Sequence, residues 1–173
     1  MSLEKGTYDY DFHAFIEEVY KFNDIADAAR GITEVTLEDI KNQYKVVLEE
    51  VKETGQAIEE NNPVKVLDGV VDSFVTLLGL AKQLEELGFD VLGACQQVAY
   101  DNLQKYPTEE ATAIDSVEAF KKKGTNIKFE EVETDGENVF VLLDENNKVR
   151  KPVDFKGTDL SKYAPEGFEG FAV

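Results

Sequence analysis

Asp68 and Asp72 lie one helical turn apart in a run that is otherwise almost wholly apolar: Val66-Leu67-Asp68-Gly69-Val70-Val71-Asp72-Ser73-Phe74-Val75-Thr76-Leu77-Leu78-Gly79-Leu80-Ala81. A helix of this composition is hydrophobic nearly all round and is expected to be central and buried. Burying a bare carboxylate is costly, and two at i,i+4 also repel each other. No Lys, Arg or His stands within the run to neutralise them. A cation must come from elsewhere, and a divalent metal is the simplest source.

The preceding segment supplies further carboxylates. Thr36 is placed to cap a helix running to about residue 60, with Leu37, Ile40, Tyr44, Val47, Leu48, Val51 and Ile58 on one face and Glu49, Glu50 and Glu53 on another. Asn61-Asn62-Pro63 then breaks the chain, with Asn62 as the next cap and Pro63 at the first helical position. So short a connection makes the two helices antiparallel neighbours. At about 1.5 Å per residue, Glu53 and Glu50 lie roughly 13 and 17 Å before the turn, and Asp68 and Asp72 roughly 10 and 16 Å after it. The four carboxylates should meet at one level of the hairpin. Most acidic helix faces are merely solvated, and the three glutamates alone would be read that way. The aspartates on an apolar helix are what point to a metal.

An all-carboxylate set suits a hard cation, Mg2+ or Mn2+, which keeps several waters and meets substrate phosphates. A di-iron carboxylate bundle needs two Glu-x-x-His pairs, and His13 is the single histidine. An EF-hand is excluded because Asp144-Glu145-Asn146-Asn147-Lys148-Val149 lacks glycine at its sixth position. A P-loop enzyme is excluded by the absence of Gly-x-x-x-x-Gly-Lys-Ser/Thr.

Glu49-Glu50-x-x-Glu53, followed by a carboxylate pair on the next helix, resembles the all-α nucleoside triphosphate pyrophosphohydrolases, which include MazG proteins, dimeric dUTPases and phosphoribosyl-ATP pyrophosphohydrolase. The usual second motif is Glu-x-x-Asp. Asp72 matches its aspartate, Gly69 stands where the glutamate would be, and Asp68 resembles the Asp-x-x-x-Asp variant of phage and bacterial MazG-like proteins. Val98-Ala99-Tyr100-Asp101-Asn102-Leu103-Gln104-Lys105-Tyr106 resembles the family's third helix, whose Asn and Lys face the substrate. Val19-Tyr20-Lys21-Phe22-Asn23 resembles the segment entering the nucleotide pocket. Lys148-Val149-Arg150-Lys151-Pro152 and Asp159-Leu160-Ser161-Lys162-Tyr163 look like the tail of MazG-like phage proteins.

The resemblance implies hydrolysis between the α- and β-phosphates, giving a nucleoside monophosphate and pyrophosphate. It implies Glu50, Glu53 and Asp72 as metal ligands, with Asp68 either a direct ligand or one acting through water. Glu49 would orient or deprotonate the attacking water, Lys105 would contact phosphate, Asn102 sugar or phosphate, and Asn23 with Phe22 the base. Without the resemblance, Lys105 reads as a surface lysine near a helix C-terminus. A bound metal would lower the pKa of a coordinated water and stabilise charge growing on phosphoryl oxygen. Two alternatives accompany this expectation. One is phosphoribosyl-ATP hydrolysis, which the extra C-terminal segment disfavours; the other is a non-catalytic acidic binding or regulatory protein on the same fold.

Composition bounds these readings. The 173 residues carry a net charge of −18, which argues against nucleic-acid or anionic-membrane binding and leaves bound metal to attract a polyanionic nucleotide. A hydrophobic fraction of 42% is enough for a core. No signal-peptide pattern is present, and residues 66–81 are too short and too acidic to span a membrane. Cys95 is the single cysteine, so a reducing cytoplasm is the expected home, and the residue itself reads as a small buried side chain.

The positioning elements follow from periodicity. Helices are expected at 9–23, 37–60, 63–87, 91–106 and 109–123, with a loop at 24–35. Strands are expected at 127–133, 138–143 and 148–153, turning at Asp135-Gly136 and Glu145-Asn146-Asn147. The expected architecture is mainly α: a four-helix MazG-like catalytic bundle over 1–106, a small α+β appendage over 107–163, and a tail over 164–173 whose Phe168 and Phe171 dock on a neighbour. The apolar helix exceeds what the short flanking helices can cover, so a homodimer or homotetramer is expected, as the resemblance also implies.

Overall fold

The computed structural model describes residues 11–168. The chain is mainly helical, with a small two-stranded antiparallel sheet toward the C-terminus. Of the described residues, those up to Val91 together with those from Tyr163 onward form one compact unit, and Leu92–Lys162 form a second.

The first unit is built on local stop and start signals. The Asp11 carboxylate accepts from the backbone N–H groups of His13 and Ala14 and opens α1, Phe12–Arg30. Residues 9 and 10, where the periodicity would begin this helix, lie outside the described residues. At its other end α1 runs past Asn23 to Arg30, so most of the expected 24–35 loop is helix, ended by Gly31 in the left-handed region (φ 73°). Thr36 and Asp39 form a capping box that starts α2, Leu37–Glu59. Asn61 turns the chain with φ 52°, the Asn62 side chain accepts from Lys65 N–H, and Pro63 opens α3, Pro63–Glu86. α2 and α3 pack as an antiparallel hairpin, and α1 packs on α3.

Two glycines set the closeness of this packing. A Cβ on Gly69 would lie 2.4 Å from Thr54 Oγ1 and 3.1 Å from Thr54 Cα. A Cβ on Gly79 would lie 2.9 Å from Gln43 Nε2 and 3.1 Å from Asn23 Oδ1, where all three helices meet. Gln43 Nε2 donates to Thr76 O across the hairpin.

The expectation that α3 is buried on nearly every side does not hold for this chain. Val64, Leu67, Val71 and Phe74, at helical spacing, are 75, 65, 46 and 54% exposed, and Asp68 and Asp72 are exposed too. α1 and α2 cover only part of its circumference. Beyond α3, Gly88 turns the chain (φ 89°), Asp90 N–H donates to Tyr163 O, and Phe89 meets Phe168 edge-on with ring centroids 4.8 Å apart. Phe168 thus docks within its own unit, whereas Phe171 lies outside the described residues.

In the second unit α4, Val91–Leu103, is shorter than expected, because the chain tightens through i→i−3 hydrogen bonds at Gln104, Lys105 and Tyr106 ahead of Pro107. Cys95 is exposed on it rather than buried. α5, Glu110–Lys122, packs on the hairpin β1, Ile127–Thr134, and β2, Glu137–Asp144. Asp135 and Gly136, both at positive φ, form the two-residue turn. Ala113, Phe140 and Leu142 are the core, with Phe129 edge-on to Phe140. The third expected strand is reduced to one bridge between Leu143 and Val149. Pro152 follows too soon for a ladder, and Val153 N–H is taken by the buried Ser116 hydroxyl. Thr158 and Lys162 fasten the end of the unit to α4: Thr158 bonds the Asp101 carboxylate and Lys162 donates to Gln97.

Candidate functional site

Three of the four carboxylates expected to meet on the α2–α3 hairpin share a cleft, and Glu50 is not among its lining residues. Glu53 from α2 and Asp68 and Asp72 from α3 line one cleft of about 230 Å³, together with Glu60, Lys65 and the buried backbone of Gly69. Gly69 lies between the two aspartates on the face turned to α2, where the space belongs to Thr54. This explains the departure at that position. Any side chain at 69 would crowd Thr54 of α2, which disfavours a glutamate there, and the acid beside it is Asp68.

Glu50 stands one turn before Thr54, whose hydroxyl donates to Glu50 O at 2.8 Å. Partial burial pushes the Glu50 carboxyl above the ordinary glutamate range, and the charges of Asp72, Glu53, Glu49 and Asp68, in that order, push it the same way. The charges of the other four acids thus all reach Glu50. None of the principal influences on Glu50 among the described residues is a cation. Among the described residues, no three His, Cys, Asp or Glu side chains are drawn together into a set that could close on a metal ion. The donor chemistry fits a hard cation; the side chains stand apart from one another.

Asn23 is placed differently. It is half-buried on α1, its Nδ2 donates to Val19 O at 2.8 Å, and its Oδ1 faces Gly79. It packs the junction of the three helices, while Phe22 beside it is 64% exposed. Asn102 and Lys105 lie in the second unit, where Lys105 Nζ donates to Asn102 Oδ1 at 2.6 Å. That bond joins the last turn of α4 to the turn beyond it.

Comparison with protein-family models, curated proteins and solved structures finds no match to this chain. The site must be read from its own chemistry.

Sequence reasoning missed one charged cluster. Lys82, on α3 just beyond the apolar run, has a side chain only 7% exposed. Its ammonium lies 2.9 Å from Asp24 and 3.5 Å from Asp27, both on α1, and pairs with Glu86 one turn along α3. Desolvation alone would lower its pKa, but hydrogen bonds to Glu86 and Asp24 together outweigh that and hold Lys82 fully charged. These groups border an open cleft of about 630 Å³ that residues 32–35 also line. The available signal was a lone lysine ending an apolar helix and two aspartates spaced i,i+3. Lys82 lies roughly 15 Å along α3 from Asp72 and its charge is used locally.

Proposed function

We propose that this chain is a Mg2+-dependent nucleoside triphosphate pyrophosphohydrolase of the MazG-like kind, converting NTP or dNTP and water into the monophosphate and pyrophosphate. The observation that supports this reading is the cleft shared by Glu53, Asp68 and Asp72 on α2–α3, beside Glu50, whose carboxyl is pushed upward by burial first and then by the charges of Asp72, Glu53, Glu49 and Asp68. A cluster of like charges held on two rigid helices is stabilised by a divalent cation and is otherwise a standing cost.

Glu50, Glu53 and Asp72 would hold Mg2+, or Mn2+, with Asp68 as the fourth candidate. When bound, the metal supplies positive charge to phosphate oxygens and acidifies water. Glu49, exposed beside the ligands, orients the attacking water and accepts its proton as the bond between the α- and β-phosphates breaks. Asn23 stiffens the helix junction beneath Phe22, which leaves Phe22 the better candidate for the base. Asn102 and Lys105 keep their assignment to sugar and phosphate by resemblance alone.

The uncovered stripe of Val64, Leu67, Val71 and Phe74 supports a homodimer or homotetramer in which another copy completes the bundle. No helix among the described residues is long and apolar enough to cross a membrane. We place the activity in the reducing cytoplasm, acting on nucleotide pools.

The test is pyrophosphate release from a panel of ribo- and deoxynucleoside triphosphates, with Mg2+, with Mn2+ and with chelator. Metal-dependent pyrophosphate is expected. Orthophosphate as the product would move the cleavage site, and no product from any nucleotide despite metal binding would favour a non-catalytic role.

A further inference from the structure

We propose that Lys65 holds the outer phosphates of the nucleotide, so that the phosphate chain runs along α3 from the aspartates toward the α2–α3 turn. The inference rests on the pyrophosphohydrolase reading and gives the substrate a direction. Lys65, Asp68, Gly69 and Asp72 are spaced i, i+3, i+4 and i+7, which places them on one face of α3. All four line the same cleft, and among the described residues Lys65 is the one cation that lines it, against Glu53, Glu60, Asp68 and Asp72.

The helix rise separates Lys65 from Asp68 by roughly 4.5 Å and from Asp72 by roughly 10.5 Å. A phosphate chain bound at the aspartates through a divalent cation therefore has its free end either near Lys65 or among uncompensated carboxylates. A lysine ammonium is a compact point charge suited to phosphate oxygen. Its present partner does not commit it. Lys65 Nζ is 3.6 Å from Glu60 Oε2, with the two side chains 64 and 42% exposed, and such exposed pairs contribute little and exchange readily. Glu60 has a second partner, accepting from Gln56 Nε2 at 2.6 Å, so it is not stranded when Lys65 turns to phosphate.

The experiment compares the full chain with Lys65→Met and Glu60→Gln, first checking by thermal melting that both variants fold. Pyrophosphate release is measured against nucleotide concentration, and Mg2+-dependent binding of inorganic triphosphate is measured by calorimetry. Lys65→Met should raise KM and weaken triphosphate binding about tenfold, with kcat changing by less than about twofold. Glu60→Gln should move both the other way, because it removes a competing negative charge. If Lys65 only staples the turn, Glu60→Gln will copy Lys65→Met or both will match the unaltered chain, and the proposal falls. Should the unaltered chain release no pyrophosphate, the function reading fails while the binding arm still decides. Lys65-dependent binding of inorganic triphosphate then upholds the phosphate contact, and the absence of binding overturns it.

Discussion

Gly69→Ala should destabilise the hairpin even though it improves an α-helix. In an exposed helix interior, Ala is favoured over Gly by about 0.8–1 kcal/mol. At Gly69 that gain meets a steric wall: the added Cβ would lie 2.4 Å from Thr54 Oγ1, 3.1 Å from Thr54 Cα and 3.2 Å from Thr54 Cβ. Rotating Thr54 relieves the first contact and forfeits its hydrogen bond to Glu50 O. No rotation relieves the other two, so the helices must separate by a few tenths of an ångström. Overpacking of this kind costs about 1–3 kcal/mol, which leaves a net loss of up to about 2 kcal/mol. Gly55, also within α2 but with nothing inside 4 Å of its would-be Cβ, is the internal control, and Gly55→Ala should gain close to the full propensity term. The two variants should therefore differ by about 1–3 kcal/mol, or roughly 2–12 °C in melting temperature for a chain of this size. Chemical denaturation followed by circular dichroism measures the difference, and Mn2+ titration should show weaker binding in Gly69→Ala alone, because the carboxylates of α2 and α3 are carried apart. Equal stabilisation by both substitutions would refute the close approach at Gly69 and the explanation of why no glutamate stands there.

Asp72→Asn should abolish turnover while raising metal-free stability by about a few tenths of a kcal/mol, since it removes repulsion at i,i+4 and toward Glu50; unfolding of that variant would make Asp72 structural. Lys82→Met should cost about 2–3 kcal/mol, or roughly 5–10 °C, because Asp27 is only 16% exposed and loses its nearest cation, while the more exposed Asp24 and Glu86 lose less. A melting temperature within a degree of the unaltered chain would contradict that account. Glu50 has a raised native pKa, so its contribution to stability is fully present below the ordinary value of 4.5 and is lost as pH rises through the raised one. In chelator the chain should therefore lose stability from about pH 4.5 toward neutrality, Glu50→Gln should flatten that slope, and Mg2+ should reverse it; a slope unchanged by the substitution would show that Glu50 carries no such strain.

What the sequence could reveal was local. Thr36 with Asp39, Asn62 before Pro63, and Asp135-Gly136 each satisfy their own backbone within a few residues, and all lie where the pattern puts them. The hairpin geometry that aligns Glu53 with Asp68 and Asp72 follows from a short turn and a fixed rise, so the level of the cleft was also readable. The end of α1 was not. Asp24 and Asp27 interrupt its apolar pattern and look like the start of a loop, yet Lys82, distant in sequence, holds both within the helix. The third strand failed for a similar reason: the strand-like stretch 148–153 suggests a ladder, but Pro152 has no N–H to give and Ser116 takes that of Val153. The burial of α3 was over-read because apolar residues around a helix report what must be covered, and nothing in them says that the same chain does the covering.

The two acidic clusters of the first unit differ in a way that bears on function. Around Lys82, Asp24, Asp27 and Glu86 are neutralised in part by an ammonium buried among them, and hydrogen bonds hold its charge against desolvation. At Glu50 the largest influences act in one direction: burial first, then the neighbouring carboxylates, raise its pKa, while Lys65 lies toward the turn and is paired with Glu60. Had acid on these helices served only to hold them together, the arrangement at Lys82 would suffice, and the chain demonstrably has the means to make it. Among the described residues, the Glu50 cluster instead has no buried ammonium set among its carboxylates, on two helices whose separation Gly69 and Thr54 fix tightly. A fixed array of that sign favours a ligand bringing positive charge, and a divalent cation carrying a nucleotide's phosphates brings it together with the substrate.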